Sequence, residues 1–358
     1  MDHSDTSSKP ATLDTSRNWD MRSDTVTTPT SEMLQAMMQA PVGDDVFGED
    51  PTVLALEARI AQLCGKPSAL FCASSTMSNQ LAIRTHLHNP PESIICHTQS
   101  HVFRYESGGA SLFTQAQMIP VGIPGANLTR ADIEQGFVPD THNGHKAPTH
   151  LITLENTLAG VVMPLEDMQG IAEFAKDRNV SVHLDGARLW NASVASGVEI
   201  KRYAESVDSL NLCLSKGMGC PVGAMLVGEK KFIDKARHFR KMFGGGWRQA
   251  GILAAAGLFA IERIWPTMKT THLQAKRLAD GLVALGFELA LPVDTNMVLV
   301  RDPPMVRVQQ DLVDALARRG VVLGMVYEES LRIVLHYQID DECIDIVLEE
   351  AGKIIGSK

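Results

Sequence analysis

Leu212-Cys213-Leu214-Ser215-Lys216-Gly217 puts a lysine at the end of an apolar run. Upstream, Ser209 to Leu214 has the length and composition of a strand. Downstream, Gly217-Met218-Gly219-Cys220-Pro221-Val222-Gly223 holds too many glycines to continue a helix or a strand. A lysine just past a strand end ordinarily keeps its amine in water. Buried there instead, it would lose ammonium character, and the amine would become a nucleophile toward a carbonyl. Partners elsewhere in the chain have to decide between the two.

Working outward, Val180-Ser181-Val182-His183-Leu184-Asp185-Gly186-Ala187-Arg188 reads as a strand that ends in a carboxylate. Leu151-Ile152-Thr153-Leu154-Glu155-Asn156 and Ile94-Ile95-Cys96 are further strands, and Glu166 to Arg178 reads as a helix between two of them. Strand Ala69-Leu70-Phe71-Cys72 runs into Ala73-Ser74-Ser75-Thr76-Met77-Ser78-Asn79 and then a helical run. A hydroxyl-rich loop opening a helix suits a phosphate, because the first N–H groups are unpaired and the dipole favours negative charge. Plain N-capping by Ser74 or Ser75 is the competing reading. Alternating strands and helices imply a mostly parallel sheet covered by helices, with ligands beyond the carboxyl ends of the strands. The hydroxyl loop, Asp185 and Lys216 all fall near such ends and could share one crevice.

The chain of 358 residues is long enough for two domains. Residues 1–18 read as a disordered polar tail without a secretory signal, 19–265 as a large α/β domain, and 266–358 as a smaller α+β domain. A hydrophobic content of 44% fits a soluble globular protein, and no apolar run is long enough for a membrane span. A net charge of −9 leaves no basic surplus for nucleic acid. Six scattered cysteines without a CxxC pair suggest reduced thiols and a cytoplasmic location. The acidic loop Gly43-Asp44-Asp45-Val46-Phe47-Gly48-Glu49-Asp50-Pro51 lacks calcium-loop spacing, so a rigid loop is expected there and no metal. Thr52 is expected to cap the helix that follows, and Gly65 to end it.

Pyridoxal phosphate chemistry asks for an amine, a carboxylate at the pyridine nitrogen, phosphate donors, a flat group over the ring and an arginine for a substrate carboxylate. The chain offers Lys216, Asp185, Ser74/Ser75/Thr76, His101 and Arg332 for these jobs. Read together, Arg22-Ser23-Asp24-Thr25, the acidic loop, Glu155-Asn156-Thr157, His183-Leu184-Asp185-Gly186-Ala187-Arg188, Cys213-Leu214-Ser215-Lys216-Gly217, Gly244-Gly245-Gly246-Trp247-Arg248-Gln249 and Asp294-Thr295-Asn296 resemble the low-specificity L-threonine aldolase family. That family belongs to the fold-type-I pyridoxal phosphate enzymes of the β-eliminating lyase type, and the resemblance covers about residues 21–336.

The resemblance implies a fold-type-I architecture, with a mostly parallel sheet in a large domain and a small α+β C-terminal domain. It implies pyridoxal 5'-phosphate linked to Lys216, Asp185 facing the pyridine nitrogen, Arg188 on the ring oxygen and His101 stacked on the ring. Ser75 and Thr76 would lie on the phosphate loop, Arg248 would reach a phosphate across a subunit interface, and Ser23 and Arg332 would hold the substrate carboxylate. Alternatives stay open: Arg188 as a salt-bridge partner of Asp185, and His101 as a hydrogen-bonded core histidine. The implied reaction cleaves a β-hydroxy amino acid such as threonine to glycine and an aldehyde, in a homodimer or homotetramer with shared sites. The chain departs from the family pattern at Ser75, where many members have glycine, at Leu158, where many have histidine, and at Phe47, where tyrosine is common. An alanine racemase of the same fold is therefore the alternative, with Lys216 serving one face and Tyr105 or His101 the other.

Overall fold

The computed structural model describes residues 19–357 apart from positions 88, 142, 143, 305, 325 and 328, so the tail expected over 1–18 lies outside the described residues. In chain order its strands are β1 (Trp19–Asp20), β2 (Ser68–Cys72), β3 (Ser93–His97), β4 (Gln117–Val121), β5 (Thr149–Glu155), β6 (Ser181–Gly186), β7 (Ser209–Cys213), β8 (Ala224–Gly228), β9 (Glu288–Leu289), β10 (Met297–Arg301), β11 (Val321–Val322), β12 (Val326–Tyr327) and β13 (Ser330–Val334). Seven of them form one sheet in the order β2-β8-β7-β6-β5-β3-β4. Strand β8 runs antiparallel to both of its neighbours; the other pairings are parallel. Every residue of β3, β7 and β8 is buried, as continuous apolar strands require when both faces of a sheet are covered.

Local chemistry sets the ends of the helices. Helix Pro51–Cys64 starts at Asp50, whose carboxylate accepts from Thr52 N at 3.1 Å and Val53 N at 3.0 Å. Thr52 is thus inside the first turn and not the cap, because Pro51 takes the first helical position, where no N–H partner is needed. Gly65 ends the helix with a left-handed φ of 62°. Buried contacts tie down the acidic loop: Asp45 forms a buried ion pair with Arg240 at 2.5 Å, and Asp50 also accepts from Gly251 N at 2.8 Å. Helix Ser75–His86 packs on the middle of the large sheet, beside helix Lys230–Met242.

A second apolar core lies between the four-stranded sheet β12-β13-β10-β9 and the helices Met268–Ala284, Gln309–Arg318 and Asp341–Gly356. Trp19 and Met21 belong to this core, and β1 pairs in parallel with β11. The segment expected to open the large domain therefore begins in the smaller one, since its two large apolar side chains find their burial there. The described cysteines are free and buried, and among the described residues no helix is long and apolar enough to cross a membrane.

Candidate active site

Parallel pairing puts Glu155, the last residue of β5, opposite Asp185 near the end of β6, and Asp185 opposite Asn211, midway along β7. Two carboxylates and an amide are thus brought together toward the carboxyl edge of the sheet. Asp185 is buried and accepts three hydrogen bonds: Oδ2 from Asn79 Nδ2 at 2.8 Å, and Oδ1 from Asn211 Nδ2 at 3.0 Å and Ala187 N at 3.1 Å. Asn211 Nδ2 also donates to Ser75 Oγ at 3.1 Å, so one amide ties the start of helix Ser75–His86 to this carboxylate. Asn79 Nδ2 donates a second time, to Glu106 Oε1 at 2.9 Å, and Gln80 Nε2 donates to Glu106 Oε2 at 2.5 Å.

His101 stands at the start of the short helix His101–Arg104, beyond β3. Its Nδ1 lies 2.8 Å from Glu106 Oε1, and its backbone N–H donates to Glu155 Oε2 at 2.8 Å. The bond to Glu106 raises the His101 pKa above the ordinary histidine value, with burial opposing and Asp185 assisting. Burial, reinforced by the negative charge of Asp185, pushes the Glu155 carboxyl up to about 7. His101, Glu106 and Asp185 present nitrogen and oxygen atoms within 4.8 Å of one another.

The opposite side of the crevice is built around Asp24. This fully buried carboxylate accepts from Arg188 Nε at 2.9 Å and Arg188 Nη2 at 2.5 Å, with Asn296 Nδ2 at 3.3 Å. The salt-bridge partner of Arg188 is therefore Asp24 rather than Asp185, whose oxygens are occupied by amides. Against the desolvation of full burial, the Arg188 guanidinium, then Lys216 and Arg332, holds the Asp24 carboxyl below the usual carboxylate range. Lys216, Arg188 and Arg332 thus surround one anion.

Lys216 is half-buried in the loop after β7, between the exposed and the buried reading of a strand-end lysine. Its carbonyl is pinned by Thr27 Oγ1 at 2.9 Å and Gly219 N at 2.8 Å, and its amine has no hydrogen-bond partner among the described residues. Arg332 on β13 sits opposite Leu299 of β10, and its guanidinium likewise has no hydrogen bond or ion pair among the described residues. Burial and the nearby Arg188 cation lower its pKa from the ordinary arginine value, while Asp24 and Tyr105 act the other way.

The hydroxyl loop serves two ends. Ser74 is the N-cap of helix Ser75–His86 and accepts from Met77 N at 3.1 Å, whereas Ser75 and Thr76 form its partly exposed first turn. Ser75 has helical backbone geometry and no positive φ, so its Cβ needs no glycine-like conformation. Ser23 caps the turn Asp24–Val26 and accepts from Thr25 N and Thr25 Oγ1, next in sequence to the buried Asp24. Arg248 is not joined to the cluster within the chain: it is exposed and pairs with Asp44 at 3.0 Å. Leu158 is buried, and Phe47 and Tyr105 are exposed. Asn79, Asn211 and the Asp24–Arg188 pair were not singled out from the sequence; an Asn four residues into a helix or midway along a strand carries no local signal of a ligand role.

Residues 20–302 match the beta-eliminating lyase family. The chain is 43% identical over 331 residues to the low specificity L-threonine aldolase of Saccharomyces cerevisiae, covering 92% of this chain and 84% of that protein. In fold it is similar to the threonine aldolase of Leishmania major, with a TM-score of 0.81 at 20% identity, covering 94% of this chain and 99% of the other. It is also similar to a structure described as SPT with PLP internal aldimine, with a TM-score of 0.72 at 18% identity, covering 95% and 89% of the two chains. These likenesses show that the chain shares the fold of those two structures, the fold that the resemblance implied.

Proposed function

The chain belongs to the beta-eliminating lyase family, and we infer that it is a pyridoxal 5'-phosphate-dependent carbon–carbon lyase that cleaves L-threonine, L-allo-threonine or another β-hydroxy-α-amino acid to glycine and an aldehyde. One observation carries this reading: an amine and a guanidinium without a hydrogen-bond partner among the described residues lie within electrostatic reach of the site whose carboxylate, Asp185, receives three donors.

The residues present fit the cofactor. Asp185 only accepts hydrogen bonds from its neighbours, which suits a carboxylate that must receive a pyridine N–H. Lys216 would hold the aldehyde carbon, Ser74, Ser75, Thr76 and the first N–H groups of helix Ser75–His86 would hold the phosphate, and His101 would cover the ring. Arg248 would add a phosphate contact from a second subunit in a homodimer or homotetramer, a reading its surface position supports. When bound, pyridoxal phosphate supplies an electron sink for the pair released at Cα.

The chain's own residues do the rest. Arg332, partly desolvated and with its guanidinium unpaired among the described residues, binds the substrate carboxylate in a bidentate grip, with Ser23 beside it. Arg188 is held in place by Asp24, so its guanidinium is fixed before any ligand enters. His101 has Nδ1 turned to Glu106, which leaves Nε2 as the atom that holds or moves a proton near the substrate hydroxyl. Buried free thiols support a cytoplasmic enzyme. Incubating the purified protein with L-threonine, L-allo-threonine and L-alanine tests the function. Glycine and acetaldehyde from the first two support it; D-alanine from L-alanine without cleavage would replace it with the racemase alternative.

A further inference from the structure

Asp185 and Glu106 sit at the end of a longer polar chain that starts near the surface. His86, half-buried on helix Ser75–His86, places Nε2 at 2.8 Å from Ser209 Oγ. Ser209 Oγ lies 2.8 Å from His183 Nδ1, and His183 Nε2 lies 3.1 Å from Asn79 Oδ1. Asn79 Nδ2 then reaches Asp185 and Glu106. His183, Asn79 and Ser209 are buried, so none of these groups can turn to water instead.

The direction of every bond follows from the last one. Both hydrogens of the Asn79 amide face carboxylate oxygens, since the opposite flip would set Oδ1 against two anions. Asn79 Oδ1 must therefore accept, and His183 Nε2 must carry the hydrogen. Burial lowers the His183 pKa to about 4, so the ring is neutral and Nδ1 is an acceptor. The single Ser209 hydrogen then points to His183 Nδ1, and Ser209 Oγ accepts from His86 Nε2–H.

We propose that Ser209, His183 and Asn79 are positioning residues that form a one-way donor chain, which holds Asp185 and Glu106 as acceptors and couples the protonation of the cofactor's pyridine nitrogen to that of His101. The coupling passes through one amide, because Asn79 Nδ2 bonds both carboxylates and Glu106 in turn bonds His101 Nδ1. The titratable groups facing the chain are His86 on its own helix, Glu106 and His101 from beyond β3, Glu155 on β5 and Lys216 beyond β7. This inference rests on Asp185 facing the pyridine nitrogen.

Two measurements on the holoenzyme test it. The first is 15N NMR of selectively labelled histidines, with the His183 signal assigned by its loss in His183→Gln. A neutral Nε2–H ring from about pH 5.5 to 9 is expected; an Nδ1–H ring, or a ring that titrates in that range, overturns the chain. The second is a pH titration of the visible cofactor band with steady-state kinetics. Ser209→Ala should move the titration midpoint up by about one unit, because a less positive ring lets the cofactor-bound Lys216 nitrogen keep its proton to higher pH. It should lower kcat about tenfold with KM changed less than about threefold, and Ser209→Thr, which keeps the hydroxyl, should restore both. His86→Leu, at the half-buried end, should give a smaller shift of the same sign and guards against a Ser209 variant that fails to fold. Midpoints and kcat unchanged in a folded variant would overturn the proposal. A wild-type protein that took up no cofactor would overturn the reading of Asp185 beneath it, whatever the tautomer of His183.

Discussion

The two sides of the crevice use their polar groups in opposite ways. Around Asp185 the donors are matched: Asn79, Asn211 and Ala187 N converge on one carboxylate, and Gln80, Asn79 and His101 on Glu106. Around Asp24 there is one buried anion for three cations, and only Arg188 is bonded to it. A matched network resists rearrangement, because each buried group would lose its partner. An unmatched excess of positive charge is a standing attraction for an anion. The first side suits a cofactor that stays; on the second, Arg332, the cation neither bonded to Asp24 nor assigned to the cofactor, suits a substrate carboxylate that comes and goes.

Breaking the one bonded pair on the open side should have the largest effect. Asp24→Asn leaves the Arg188 charge buried without its counter-ion and should cost about 3–5 kcal/mol of folding stability, read by chemical denaturation. Arg332→Leu should leave the cofactor spectrum and the stability nearly unchanged, and raise KM for the amino acid by about ten- to a hundredfold through loss of a charged carboxylate contact. A KM unchanged in that variant would move the substrate carboxylate elsewhere. The smallest effect belongs to Glu155, where the two sides meet. Its folded pKa of about 7 lies above the ordinary 4.5, so the folded state holds the proton more tightly. Its contribution to stability is then fully present below about pH 4.5 and is lost as the pH rises toward 7. Glu155→Gln should flatten the stability profile over that window, measured as the difference in denaturation midpoint from wild type.

The matched side was partly legible in the sequence, and the open side was less so. Asp185 and Lys216 could be found because each follows an apolar strand, and strand ends in a parallel sheet are where ligands lie. Ser74 could be found as a helix start, although its hydroxyl turned out to serve the cap. Asn79 and Asn211 could not: their role depends on the register that sets Asp185 beside Asn211, which no local pattern encodes. The Arg188–Asp24 pair spans 164 residues, so only the folded chain reveals it. In the fold, the alternation of strands and helices was readable, but two-residue strands such as β1 and β11 have no period to read. The packing of Trp19 and Met21 into the second core was hidden for the same reason.

The claim beneath all of this is that Lys216 is the residue that holds the cofactor. Reducing the reconstituted protein with borohydride and mapping its peptides measures that directly. The account predicts loss of the visible band and a single pyridoxyl group on Lys216; a label on any other lysine, or no label at all, would contradict it.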